Sequence, residues 1–179
     1  MAAAKIGVSD LDAVAVGVGP GSFTGLRVGL MSAKTICHLS GCRLIGLDSL
    51  WVVASAVRER GATVLAVADA QQANWYAARF NIDESGRAIA TAAPAIRPRR
   101  EVLGSLDGDL VLTGPGLARL SEEERVAHAR FLAEKSLWNP TPDALYRCAL
   151  DSWNRQAFAD PFLLEPNYVR LSAAEERSR

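Results

Sequence analysis

Residues 12–39 constrain the fold more than any other stretch. DAVAVGV (12–18) is a short run of small and β-branched apolar residues, the pattern of a buried strand. It runs directly into Gly19-Pro20-Gly21-Ser22-Phe23-Thr24-Gly25. A helical pattern over 26–39 follows at once and is stopped by Ser40-Gly41. A strand, a glycine turn and a helix in immediate succession are a building unit of α/β folds.

The alternation continues. Residues 43–47 read as a second strand, Ser49 as an N-cap and 50–60 as a second helix. Residues 63–68 and 74–81 form a strand pair about Asp69-Ala70-Gln71-Gln72, and 86–96 adds another strand. Residues 97–100 open a linker or short helix, and 110–113 is a strand closed by Gly114-Pro115-Gly116. The stretch 117–140 reads as mostly helical, 142–158 as a further helix, and the last residues as a frayed tail. Strand pairs after residue 62 make the sheet mixed. The expected division is 1–60 as one subdomain and 61–179 as a second, carrying the C-terminal helix and tail. Before the first strand, 2–7 reads as the tail of a helix and Val8-Ser9-Asp10 as a turn. A buried strand needs neighbours on both sides, so the pattern leads us to expect a further unit upstream, the first subdomain being N-terminally incomplete.

Hydrophobic residues make up 49% of the 179, enough to bury a core. The 20 basic and 20 acidic residues cancel, which speaks against a stand-alone nucleic-acid binder. No apolar run reaches the roughly 18 residues of a membrane span. Cys37, Cys42 and Cys148 are an odd number with no CxxC pair, so neither a disulfide framework nor a zinc ribbon fits. The composition is that of a reduced, cytoplasmic α/β protein.

On the 26–39 helix, Arg27, Lys34 and His38 fall within roughly 40° of one another, one narrow polar stripe. The remainder is apolar or small: Leu26, Val28, Leu30, Met31, Ala33, Ile36, Cys37 and Leu39. A helix lying on a sheet needs one apolar face, and this one has two. Gly25, Gly29 and Ala33 repeat at i+4, which would let another helix approach closely. The second covering surface is either part of the same domain or a partner.

Glycines before a helix N-terminus also invite an anion. The turn is neither a P-loop, because Leu26-Arg27 follow Gly25, nor a dinucleotide fingerprint, because Thr24 stands at the third glycine. The plainer reading is a tight connection in which Gly21 and Gly25 supply the backbone angles and Ser22 or Thr24 caps. His38 and His128 lack ligand spacing, and Cys37 and Cys42, beside His38, read as core cysteines rather than part of a metal set. Asp69 reads as a turn-forming Asp bonding its own backbone, with a general base as the alternative. Arg97, Arg99 and Arg100 read as a solvated face rather than a tRNA contact.

GVGPGSFTGLRVGLMSAK and the LIGLDSL that follows closely resemble the signature of the TsaB (YeaZ) family, the Gcp-like, M22 glycoprotease-like dimerisation subunits of tRNA threonylcarbamoyladenosine synthesis. VLAVADAQQANWYAARF resembles the family's DARRGEVY hairpin, LTGPGL its later glycine turn and LLEPNYVR its closing motif. The resemblance covers most of the chain in order. It implies an actin-like (ASKHA, ribonuclease H-like) α/β fold with mixed sheets, whose missing opening strands explain the short start. It implies a non-catalytic subunit without cofactor or metal that scaffolds a TsaD-like transferase modifying tRNAs that read ANN codons. A TsaE-like ATPase would bind the heterodimer, tRNA would be met only through the complex, and a homodimer is a further possibility. The family's bundle contact uses its second helix, here Leu26, Gly29, Leu30, Ala33 and Cys37, with Gly19 to Gly25 and Arg27 as the structural turn. Gln71, Gln72 and Asn74 depart from the charged residues usual in the hairpin. The alternatives are an actin-like ATPase or phosphotransferase, which needs an upstream Asp motif, and an M22-type metalloprotease, disfavoured by only two histidines.

Overall fold

The computed structural model describes residues 7–167. They divide into two compact units, one of residues 7–49 with 146–167 and one of residues 50–145.

The first unit is built on two parallel strands, β1 (Ala13–Gly19) and β2 (Arg43–Asp48), joined by α1 (Phe23–Ser40). Ala13 pairs with Arg43 and the register holds to Gly17 opposite Leu47, where a bulge intervenes. The helix starts at Phe23, earlier than its periodicity predicts, because the Ser22 side chain caps it. It stops at Gly41, whose φ of 73° allows the left-handed turn that returns its N–H to Cys37 O. Leu30, Ala33 and Cys37 turn inward, and Ala33 and Cys37 pack with Leu44, Val14 and Val16. Burying a leucine such as Leu44 contributes about 2 kcal/mol. A Cβ on Gly29 would meet Val16 Cγ2 at 3.9 Å. The small residues Gly29 and Ala33 therefore let α1 settle on its own strands, a correction to the expectation that they admit another helix.

The end of the described chain returns to this unit. Ala159 N–H donates to Leu44 O at 2.8 Å and Asn167 N–H to Val18 O at 2.6 Å. A Cβ on Gly46 would meet Leu164 at 3.1 Å, so that strand position must be bare for the returning segment to pack.

The second unit holds a five-stranded mixed sheet in the order β5-β4-β3-β7, with β6 also on β4. These are β3 (Thr63–Asp69), β4 (Asn74–Ile82), β5 (Ala88–Ala90), β6 (Ala95–Pro98) and β7 (Val111–Thr113). β3 runs antiparallel to β4 and parallel to β7. Alternation assigns the faces: Val64, Ala66, Ala68, Ala78, Phe80 and Ile82 pack with Leu50 and Val53 of α2 (Ser49–Ala54). Val67, Trp75 and Ala77 face Leu112, Leu117, Phe131 and Trp138. Both faces are covered, which is why these strands carry so few polar residues.

Several elements differ from their sequence signals. α2 ends at Ala54 and begins on Ser49 itself. The run 86–96 splits into β5 and β6, and α3 (Arg99–Gly104) is a helix. The 117–140 stretch is not mostly helical. It is a chain of turns around α4 (Glu122–Ala127), with 3₁₀ segments at Pro115–Arg119, Ala129–Phe131 and Lys135–Leu137. Leu117, Leu120, Phe131 and Trp138 all enter one core, whereas a straight helix would string them along about 32 Å of its length. Trp138 Nε1–H donates to Ala133 O and Thr113 Oγ1–H to Leu137 O, fixing the turns. α5 (Pro142–Asn154) ends short of 158, and Gln156, at φ 55°, turns the chain away. Among the described residues no helix is long and apolar enough to cross a membrane. The expected helix tail at 2–7, the frayed tail and the final Tyr168-Val169-Arg170 of the closing motif fall wholly or largely outside the described residues.

Candidate partner-docking site

Gly19-Pro20-Gly21-Ser22-Phe23-Thr24-Gly25 is closed by the chain's own groups. Ser22 Oγ accepts from Gly25 N–H at 3.3 Å and Ser22 O from Leu26 N–H at 2.8 Å. Gly19, at φ 112°, ends β1 and joins Pro20 through a cis peptide. A Cβ there would stand 3.1 Å from both Asn167 O and Leu26 Cδ1. Two amides that an anion would use, on Gly25 and Leu26, are thus already engaged. Arg27 lies over the Phe23 ring at 4.0 Å, outside the turn.

The faces of α1 are sharply divided. Of the expected partner residues, Leu30, Ala33 and Cys37 lie in the unit's own core at 3%, 4% and 2% exposure. Leu26 packs against Gly19 and Gly21, and Gly29 against Val16. The reachable face carries Val28, Met31 and Leu39, 63%, 60% and 77% exposed, together with Ser32 and Thr35. Both hydroxyls on that face turn back onto the helix, Ser32 to Val28 O and Thr35 to Met31 O, each at 2.8 Å. Their hydrogen bonding is thereby satisfied within α1, and the face offers mostly carbon to whatever lies on it. The sequence held the signal: Val28, Met31, Thr35 and Leu39 recur at helical spacing opposite Leu30, Ala33 and Cys37. Only the position of β1 decides which side is inside.

A second apolar stripe was missed. Tyr146, Leu150 and Trp153 project from α5 at i, i+4 and i+7 with exposures of 65%, 42% and 38%. His38 stacks edge-on against Phe162 with ring centroids 5.3 Å apart. His128 caps α4, its Nδ1 2.8 Å from Glu124 O. Among the described residues no group of three or more His, Cys, Asp or Glu is placed to hold a metal.

In the second unit, Asp69 Oδ1 accepts from Gln71 N–H at 2.9 Å, the local turn its sequence suggests. Its other oxygen takes Arg119 Nε–H at 3.2 Å, a partner no short-range pattern could supply. Gln71, Gln72 and Ala73 all have positive φ, so the tip is wound left-handed over three successive residues. Arg99 is no solvated group: it pairs with Glu124 at 3.3 Å and donates to Arg119 O, while Arg97 and Arg100 are exposed. Asp69, Gln71, Gln72, Ala73, Arg99 and Arg119 line a shallow cavity of about 380 Å³ with Asn74 and Trp75. Its arginines are already matched by Asp69 and Glu124, which leaves little uncompensated charge for a ligand.

A parallel βαβ unit, a mixed-sheet unit and a chain that returns from the second to the first define an α/β protein of the actin-like class. A YeaZ-like protein of Pseudomonas aeruginosa shares this fold, with a TM-score of 0.76 at 24% identity over 94% of this chain and 78% of that one. The profile of the family described as "TsaD: tRNA N6-adenosine threonylcarbamoyltransferase" matches residues 1–137. The "tRNA threonylcarbamoyladenosine biosynthesis protein TsaB" of Escherichia coli is 36% identical over 114 residues, 61% of this chain and 49% of that protein. An uncharacterized protein of Mycobacterium tuberculosis is 37% identical over 178 residues, 98% of this chain and 72% of its own length. Bacillus subtilis TsaB is 25% identical, covering 94% and 73%. The chain belongs to the TsaB (YeaZ) family, within the threonylcarbamoyltransferase-like group. It spans about half the length of the Escherichia coli relative.

Proposed function

We propose that this chain is a non-catalytic scaffold in the synthesis of threonylcarbamoyladenosine in tRNA, binding a TsaD-type transferase through the outward face of α1. The relatives from Escherichia coli and Bacillus subtilis carry the name of that pathway. The observation that carries the docking reading is the row Val28, Met31, Thr35 and Leu39, apolar, exposed and with its hydroxyls tied off. An 18-residue helix is about 27 Å long, enough to anchor one side of a standard protein interface. The contribution to catalysis is positional: the partner holds the reacting groups and this chain holds the partner. A TsaE-type ATPase then joins the heterodimer, and tRNA is met through the complex. Co-expression of this chain with its host's TsaD-type transferase tests the reading. A stable one-to-one complex supports it, and separate elution of the two proteins at micromolar concentration rejects it.

A further inference from the structure

The last turn of α1 brings two thiols together. Cys37 Sγ and Cys42 Sγ lie 3.4 Å apart, across the left-handed Gly41 that ends the helix. Local hydrogen bonds hold them there: Gly41 N–H donates to Cys37 O at 2.9 Å and Cys42 N–H to Ser40 Oγ at 3.3 Å. The two environments differ. Cys37 is 2% exposed and packs with Ala33 and Leu44, whereas Cys42 is half-buried. Burial, reinforced by Cys42, pushes the Cys37 thiol up to about 11, so it keeps its proton at neutral pH. Cys42 is thus the more exposed residue of the pair, and the buried Cys37 sulfur lies within 3.4 Å of its own.

We propose that Cys42 and Cys37 form a peroxide-modifiable pair, with Cys42 the attacking thiol and Cys37 the resolving one. This is a modification site separate from the docking face, and it stands or falls independently of the scaffold reading. Cys42 attacks a peroxide oxygen, the O–O bond breaks, and one water leaves as the sulfenic acid forms. The Cys37 sulfur then displaces that oxygen, and its proton departs with the hydroxyl as a second water. The two cysteines together lose two electrons and the peroxide gains them. A disulfide needs the sulfurs at about 2.05 Å, so the pair must close by roughly 1.4 Å. The cap has room to give, since nothing lies within 4 Å of where a Cβ on Gly41 would sit. The bond would staple the last turn of α1 to the residue that leads into β2.

The test uses the whole chain. Reduced protein is treated with hydrogen peroxide, denatured, alkylated and cut with trypsin, which leaves both cysteines on the single peptide 35–43. The expected product is that peptide lighter by about 2 Da, free of alkylating agent, and restored to two alkylated sites by a dithiol. The Cys148 peptide should stay alkylated throughout. In Cys37→Ser, Cys42 should instead be trapped by dimedone as the sulfenic acid. The proposal is overturned if peptide 35–43 stays doubly alkylated under conditions that fully oxidise free glutathione. It is equally overturned if Cys42 advances to the sulfinic acid while Cys37 remains alkylated. The wild-type readings decide the matter even if the variant fails to fold.

Discussion

Gly114 lies so close to the backbone of Val67 that a Cβ placed on it would stand 2.7 Å from Val67 N and 2.9 Å from its carbonyl carbon. Its φ of 121° is closed to ordinary side chains as well. This is where β7 ends and the chain drops Leu117, fully buried, into the core of the second unit. Gly114→Ala is expected to cost about 3 kcal/mol or more, since both strain and overpacking act at one atom. Urea unfolding should show a lower midpoint, and a midpoint within error of wild type would mean that the turn is not built as described.

The Ser22 side chain closes the α1 N-terminus, through Gly25 N–H. Ser22→Ala should therefore lose about 1 kcal/mol, while Ser22→Asp keeps most of the stability because a carboxylate can cap the same amide. If the two variants unfold alike, capping is not what fixes the start of this helix.

The buried thiol of Cys37 gives the fold a pH dependence on the alkaline side. Its pKa is raised from 9.0 to about 11, first by burial and then by Cys42. Above pH 9 the unfolded chain gives up this proton while the folded one keeps it, so stability is present below pH 9 and declines as pH climbs toward 11. The decline should be about 1 kcal/mol per pH unit, and Cys37→Ala should flatten it. Thermal unfolding across that window compares the two, and parallel declines would assign the effect to other groups.

Much of this was legible because the signals were local. The strand, glycine turn and helix at 12–40 and the hairpin about Asp69 rest on neighbours within a few residues. What the sequence could not show depended on distant parts of the chain. The row Leu30, Ala33, Cys37 and the row Val28, Met31, Leu39 are equally apolar, and only β1 and β2 determine which is buried. Asp69 finds Arg119, and Gly19 finds Asn167, across separations no periodicity records. The helical reading of 117–140 failed for the same reason, since its anchors are chosen by a core assembled elsewhere in the unit.

The central claim is that the outward face of α1, and not its small-residue side, meets the partner. Met31→Arg changes a side chain that is 60% exposed and should alter stability by no more than about 0.5 kcal/mol. Ala33→Arg forces a charge into a position 4% exposed and should unfold the first unit. The most direct measurement titrates a TsaD-type transferase with the wild-type chain and with Met31→Arg, melting curves being recorded alongside. The account predicts at least a tenfold weaker Kd, about 1.4 kcal/mol, at an unchanged Tm. Equal affinity from a folded Met31→Arg chain would contradict it and move the interface off this helix.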